Sequence, residues 1–316
     1  MTLPKIGITL GDPGGIGPEV TLKSLGSLSS LPDAQYVLFG SQGVINHECS
    51  SLNLDLSLSR DPISLLEVEN VTTPVAQGKP SPSNGRASFR YFERAVREAQ
   101  KGNIHAVVTA PISKRSWDLA GIPWTGHTEY LSRFYPEAIM FFWSDDLKVA
   151  LYTHHMSLHQ AIARVKEKPL FQFMVNLDKN MSSLAIPGFQ YLMAGLNPHA
   201  GEKGMMGSEE RDEILPAIEK ARSKGIPVTG PFPPDVVFRN AWQKPDKIAI
   251  ALYHDQGLIP FKLIAFDRGV NLTLGLPFIR TSPDHGTAFD IAGKGMADPK
   301  SMMEAIRLAH RFVSAD

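Results

Sequence analysis

The histidines are the first residues to ask for chemistry. Ten occur in 316 residues, and those at 154/155, 199 and 254 each closely follow a short apolar run. Neutral imidazoles are good borderline metal ligands, and three of them leave a coordination position open for a substrate. The intervals between the three sites are too long for zinc-finger spacing, so their placement at strand ends carries the suggestion. Three unrelated loop histidines with local hydrogen bonds would give the same pattern. The doublet His154-His155 adds an ambiguity, because adjacent residues at a strand end point to opposite faces and only one easily faces a cleft. His159 shares a helical face with His155 and is a minor competitor. His47, His105 and His310 sit in polar or helical contexts and read as structural. The single cysteine, Cys49, excludes an internal disulfide and a cysteine zinc site, and no base is implied near it.

Other groups invite a charged ligand. Arg280 lies in an otherwise apolar run, Phe278-Ile279-Arg280, where an unpaired cation is costly. A phosphate or carboxylate would satisfy it, and so would an internal ion pair. Lys262 follows closely after His254-Asp255. Gly126-His127-Thr128-Glu129 is a compact polar motif in which Thr128 or a neighbour caps a helix or binds substrate. Gly11-Asp12-Pro13-Gly14-Gly15-Ile16-Gly17-Pro18-Glu19 follows a strand-like run, yet matches neither the dinucleotide fingerprint nor a P-loop. It reads as a close approach of backbone to ligand, or as a tight strand-to-helix turn. In the segment 282–295, Asp290 is the candidate to accept from ribose hydroxyls, which favours NAD over NADP; a loop capping the last helix is the bland alternative.

These residues need elements to position them. Near-continuous apolar runs at Ile6–Leu10, Ala106–Thr109, Val149–Thr153, Tyr191–Leu196 and Ile248–Tyr253 predict strands buried on both faces of a mainly parallel sheet. Helical patterns between them predict an α/β architecture. All five end in polar, turn-rich chemistry, and ligands of open α/β sheets sit at the carboxyl ends of strands; one shared site is the expectation. Residues 47–85 read as an irregular connection, followed by a helix with Phe89, Phe92, Val96 and Ala99 on one face. Charge is balanced, with 32 basic and 32 acidic residues, which removes the usual electrostatic support for nucleic-acid or anionic-membrane binding. No apolar run approaches the roughly 20 residues of a bilayer span, and the N-terminal residues lack signal-peptide character. A cytoplasmic protein is expected.

Taken together, residues 11–19, 126–129, Asn-Pro-His-Ala-Gly-Glu (197–202), Tyr-His-Asp-Gln-Gly (253–257) and 270–282 resemble the 4-hydroxythreonine-4-phosphate dehydrogenase (PdxA) family of vitamin B6 biosynthesis. The resemblance runs nearly end to end. It implies a two-lobed three-layer α/β/α fold similar to isocitrate and isopropylmalate dehydrogenases, with the active site in the interlobe cleft of a homodimer and built from both subunits. Approximate lobes are 1–125 plus 256–316, and 126–255. It implies a divalent metal (Zn, Co, Mg, Mn or Ni) on His155, His199 and His254, with His155 chosen over His154 by alignment from Ala150-Leu151. Substrate contacts carry over to His127, Thr128, Lys262, Asn271 and Arg280. The tail looks like the adenosine-binding loop of the decarboxylating dehydrogenases, which assigns NAD contacts to His285, Gly286, Thr287, Ala288 and Asp290. Lys262 or Asp255 is the candidate general base. The implied reaction is NAD-dependent oxidation of 4-phosphohydroxy-L-threonine to 2-amino-3-oxo-4-phosphooxybutanoate, which loses CO₂ to give 3-amino-2-oxopropyl phosphate. Where the family usually has His-x-Pro-Leu, this chain has His155-Met156-Ser157-Leu158. The alternatives are a relative acting on phosphorylated threonate, erythronate or a cyclic dihydrodiol, a metal-dependent phosphatase using Asp255, and a non-catalytic binding protein.

Overall fold

A computed structural model describes residues 3–54, 56, 59–68, 76–184 and 188–314. The chain divides into two compact units, Met1–Pro136 with Leu276–Asp316, and Glu137–Gly275.

The first unit begins with β1 (Lys5–Thr9), α1 (Gly17–Gly26), β2 (Gln35–Gly40), α2 (Gln42–Leu52), β3 (Ser59–Arg60) and β4 (Ile63–Glu67). It continues with α3 (Pro82–Gln100), β5 (Ala106–Thr109), α4 (Lys114–Leu119) and α5 (His127–Phe134). Strands β4, β2, β1 and β5 pair in parallel in that order, with β3 antiparallel at the edge. Every residue of β5 is buried, as for a strand covered on both faces. The described part of 47–85 is thus not an irregular connection. The interrupted apolar pattern of Ile63–Glu67 hides a strand, because only Ile63 of it is fully buried.

Helix α3 forms as its pattern predicts. Ser81 caps it by accepting from the Asn84 amide, and Pro82 opens it. Phe92, Val96 and Ala99 are buried, whereas Arg90, Arg94 and Arg97 are exposed. Its apolar face packs on β1, β2 and β5, and Trp117 of α4 fits edge-on to Phe89, with ring centroids 5.4 Å apart.

The second unit runs β6 (Ile139–Trp143), β7 (Lys148–Leu151), α6 (Leu158–Arg164), α7 (Glu167–Ser182), β8 (Gln190–Ala194), α8 (Leu215–Ser223), β9 (Val228–Phe232), α9 (Pro234–Ala241), β10 (Lys247–Ala251), α10 (His254–Ala265) and β11 (Val270–Leu274). Strands β7, β10, β8 and β9 are parallel in that order, and β6 and β11 add antiparallel pairs beyond β7. Leu258 and Phe261 of α10 share a core with Val149, Leu151 and Ala251. The chain then returns to the first unit as β12 (Ile279–Pro283), parallel to β5, and α11 (Lys300–Val313), which packs on β12, β5 and α1.

The units place 126–136 with the first and 256–275 with the second, where the expected lobes divide at 125 and 255. α5 stays in the first unit because Tyr130 packs on Phe89 and Phe92 at 5.7 and 5.3 Å. α10 and β11 stay in the second because their apolar faces complete its core and their backbone pairs with β6. Lys262 and Asn271 therefore lie in the second unit. Among the described residues, no helix is long and apolar enough to cross a membrane.

Gly85 tests the packing of α3 on α4. A Cβ there would meet the Ser116 carbonyl oxygen at 2.0 Å. In a helix interior, Gly→Ala normally stabilises by about 1 kcal/mol. Here backbone meets backbone, so Gly85→Ala is expected to destabilise by about 1–3 kcal/mol. Urea unfolding reads the sign; a gain in stability would refute the packing argument.

Candidate functional site

In the second unit, β7, β10 and β8 stop almost level: Leu151 lies opposite Ala251, and Ile250 opposite Met193. The chain beyond each carries the histidines. The rings of His155 and His254 stand 5.7 Å apart, and His154 meets His155 edge-on at 5.3 Å. Both members of the doublet line a cavity of about 590 Å³ together with Tyr253, His254 and Asp255. The expectation that only one would face it fails. The reason is local: His155 has a left-handed backbone, φ 27°, so the strand's alternation ends before it.

The ring states suit metal ligation. His154 Nδ1 is sealed from solvent without a hydrogen-bond partner. Burial first, and the neighbouring His254 second, lower its pKa, so it is held neutral. His254 opens α10, and its Nδ1 stands 2.7 Å from Asp255 Oδ1. A carboxylate partner draws the proton to Nδ1 and leaves the Nε2 lone pair for a ligand, an assignment made from the hydrogen-bond network. His199 is exposed and begins a run of left-handed backbone, His199–Lys203. It does not line the cavity, and among the described residues no three His, Cys, Asp or Glu side chains are gathered closely enough to hold a metal ion. The donor set fits a divalent cation in chemistry: His154, His155 and His254 line one cavity, and His199 is outside that lining.

Thr153 Oγ1 donates to the Leu252 carbonyl at 2.6 Å, and Gln256 links the Leu252 amide to the Gly195 carbonyl, both at 2.7 Å. Neither side chain was singled out from the sequence; the signal was available in a threonine ending a buried run and a glutamine two residues after His254. Lys262 is half-buried on α10. Asn271 on β11 lies opposite Phe142, and its Oδ1 is sealed without a hydrogen-bond partner.

In the first unit a second group forms around Thr109, the last residue of β5, and Arg280 near the start of β12. Arg280 is 2% exposed. Its Nη2 donates to Thr109 Oγ1 at 2.6 Å and to His127 Nδ1 at 3.2 Å. Burial pulls its pKa down to about 10, still far above neutrality, so the guanidinium is charged. His127 begins α5 and packs against Phe92 and Trp117, with ring centroids at 4.4 and 5.6 Å. Desolvation, then the charge of Arg280, push its pKa well below the usual histidine range. With Nδ1 accepting from Arg280, the proton sits on Nε2, which is sealed without an acceptor. A guanidinium beside a buried N–H donor is a binding place for an anionic oxygen. Thr128 does not cap α5; Gly126 stands at the cap, and Thr128 is the second helical residue.

The glycine-rich turn seats the C-terminal loop. A Cβ on Gly15 would meet Thr287 Cβ at 2.7 Å, and the Ile16 amide donates to the Thr287 carbonyl at 2.9 Å. Its glycines make room for the chain's own backbone. Glu19, fully buried, accepts from the Ala297 amide, and Lys23 donates to Glu19 and to the carbonyls of Gly295 and Ala297. Within the loop so held, His285 Nδ1 lies 3.1 Å from the Gly286 carbonyl, Ala288 is left-handed at φ 40°, and Gly286 and Asp290 are exposed.

Comparison with known proteins follows this geometry. Residues 33–309 match the family model described as pyridoxal phosphate biosynthetic protein PdxA. The chain is 41% identical to the 4-hydroxythreonine-4-phosphate dehydrogenase of Desulforapulum autotrophicum, covering 97% of this chain and 94% of that one. It is 38% identical to a protein of Oceanobacillus iheyensis provisionally named D-threonate 4-phosphate dehydrogenase, covering 97% of each. Among solved structures, a 4-hydroxythreonine-4-phosphate dehydrogenase from Klebsiella pneumoniae superposes with a TM-score of 0.87 at 36% identity over 98% of both chains. An isocitrate dehydrogenase from Methylococcus capsulatus, at 14% identity and a TM-score of 0.50 over 97% of this chain and 84% of that one, shares the fold. The chain belongs to the PdxA family and is a dehydrogenase of that family.

Proposed function

We propose that the chain oxidises 4-phosphohydroxy-L-threonine with NAD, giving 2-amino-3-oxo-4-phosphooxybutanoate, which decarboxylates to 3-amino-2-oxopropyl phosphate. The observation that carries the phosphorylated substrate is the buried Arg280 beside the inward Nε2–H of His127. Both donate, and a phosphate supplies the acceptors. Thr128 adds a hydroxyl on the same helix. Asn271 offers its buried Oδ1 as an acceptor to a substrate hydroxyl or ammonium.

His155, His199 and His254 hold a divalent metal in this reading, and His154 stands beside them as a fourth imidazole. When bound, the metal supplies Lewis-acid polarisation of a substrate oxygen. Asp255 takes a narrower role than general base: its carboxylate accepts from His254 and fixes that ring's tautomer. Lys262 then keeps the role of proton acceptor. His285, Gly286, Thr287, Ala288 and Asp290 form the NAD loop. The exposed Asp290 carboxylate suits ribose hydroxyls and repels a 2′-phosphate.

The active protein is a homodimer in this reading. Ile259 and Leu263 of α10 and Phe266 at its C-cap are 61, 82 and 79% exposed. They lie at i, i+4 and i+7, on one helical face, and such a stripe marks an association surface.

The decisive assay is NADH production from 4-phosphohydroxy-L-threonine, with and without chelator, beside phosphorylated threonate, phosphorylated erythronate and a cyclic dihydrodiol. The expected outcome is turnover of the first alone, lost on chelation. Faster turnover of another member of the panel would reassign the substrate. Phosphate release without NAD would replace the dehydrogenase reading altogether.

For His127 the lowered pKa gives a signed expectation. The folded ring stays neutral, whereas the unfolded imidazole titrates near the ordinary histidine value of about 6.5. Below that pH the unfolded chain takes up a proton that the folded one refuses, so stability falls as pH drops, by up to about 1.4 kcal/mol per unit. His127→Gln should make unfolding free energy between pH 6.5 and 5 less steep. An unaltered slope would mean that the ring is not held neutral. For the dimer, Leu263→Asp should give monomers by light scattering; a wild-type protein already monomeric at assay concentration contradicts the association reading.

A further inference from the structure

Three side chains in the second unit are buried, polar and outside the roles assigned above. Thr153 is 4% exposed, Gln256 8% and Glu210 5%. Each holds chain that leads into a histidine. Thr153 ends the β7 segment just before His154-His155, and its hydroxyl donates to Leu252, two residues before His254. Gln256, two residues after His254, accepts from the Leu252 amide and donates to Gly195, the residue after β8. Glu210 Oε1 accepts from the amides of Leu196 and Asn197, both at 2.7 Å, and its Oε2 accepts from Asn197 Nδ2 at 2.9 Å. The same carboxylate lies against Gly201, where a Cβ would meet Oε2 at 2.6 Å. It therefore fills the inside of the left-handed turn that carries His199. A π-helical turn, Glu210–Ile214, presents it there; such single turns recur at functional sites.

The chain of bonds is continuous from Thr153 through Leu252 and Gln256 to Gly195, and Glu210 takes over at the next residue. It joins every strand end that bears a candidate ligand. The left-handed residues His199, Ala200, Glu202 and Lys203 are strained, and strain of this kind persists only where surroundings enforce it.

We propose that Thr153, Gln256 and Glu210 are positioning residues that set the spacing of the three histidine-bearing strand ends, and thereby how tightly a divalent cation is held there. The inference rests on the metal reading above. Outer groups that orient ligands change metal affinity by about 10–100-fold when removed. Co²⁺ serves as the probe, because titration calorimetry and its visible absorption report binding without turnover. Thr153→Val removes the hydroxyl at nearly constant shape, and Thr153→Ser returns it. Glu210→Gln keeps the shape and turns one acceptor into a donor facing Asn197. Thr153→Val and Glu210→Gln should each weaken Co²⁺ binding by about 10–100-fold with a Tm near wild type, and Thr153→Ser should regain most of that loss. Wild-type affinity in both weakened candidates would overturn the proposal. His254→Ala is the control that separates the two layers. Wild-type Co²⁺ binding that survives His254→Ala removes the metal reading and this proposal with it; binding that depends on His254 but ignores Thr153→Val and Glu210→Gln removes the proposal alone. Should Glu210→Gln fail to fold, the Thr153 pair decides by itself.

Discussion

Where a buried parallel strand stops, the next backbone groups lose their ladder partners, and leaving a buried N–H or C=O unpaired costs about 1–3 kcal/mol. That constraint organises the second unit. β7, β10 and β8 end nearly level, so several peptide groups face the same problem in the same layer. Water would solve it by opening the layer. This chain solves it with side chains: Thr153 and Gln256 satisfy both backbone groups of Leu252, and Glu210 satisfies the amides of Leu196 and Asn197. The layer stays closed, and the residues just beyond it inherit fixed starting points. All the candidate histidines of this unit are among those residues.

The two units meet opposite electrostatic demands by the same means. A cation site needs neutral, lone-pair donors, and an anion site needs donors that keep their protons. Burial favours the neutral imidazole in both places, at His154 and at His127. What differs is the partner. Asp255 draws a proton to Nδ1 of His254 and frees Nε2 as an acceptor. Arg280 occupies Nδ1 of His127 as a donor and forces the proton to Nε2. One residue type presents a lone pair in one unit and an N–H in the other, decided by a single neighbour in each case.

Much of this was legible in the sequence, for identifiable reasons. Five strands buried on both faces announce themselves as apolar runs, and the amphipathic α3 announces itself by period. β4 and β11 escaped because mixed burial breaks the run: Ile63 and Glu67 of β4, or Val270 and Asn271 of β11, lie at opposite extremes of polarity. Unit boundaries escaped because they depend on which core α5 and α10 join, a tertiary choice that no local pattern encodes. The histidines were legible as strand-end residues. Which of them line one cavity was not, because the left-handed backbone at His155 and His199 redirects the chain there and neither residue type advertises it. The glycine-rich turn was legible as a place of close approach; its glycines admit the backbone of Thr287 and so seat the C-terminal loop.

Family membership narrows the chemistry further than it narrows the substrate, and the site geometry explains why. Relatives named for an amino acid phosphate and for a hydroxy acid phosphate are 41 and 38% identical to this chain. Both substrate types carry a phosphate and a secondary hydroxyl. In the proposed reading, Arg280 with His127 engages the first, and a cation on imidazoles engages the second. Neither group senses whether the neighbouring carbon carries nitrogen or oxygen. That discrimination requires a buried acceptor or donor opposite that carbon, because a site built to pair with one group rejects an analogue that leaves it unpaired far more strongly than an apolar pocket rejects an added atom. Asn271 Oδ1, sealed and without a hydrogen-bond partner in the second unit, is an acceptor to which an ammonium and a hydroxyl can both donate, so it does not by itself make that distinction. An acceptor separates the two only where it draws on the charge or the additional protons of an ammonium, which a hydroxyl lacks.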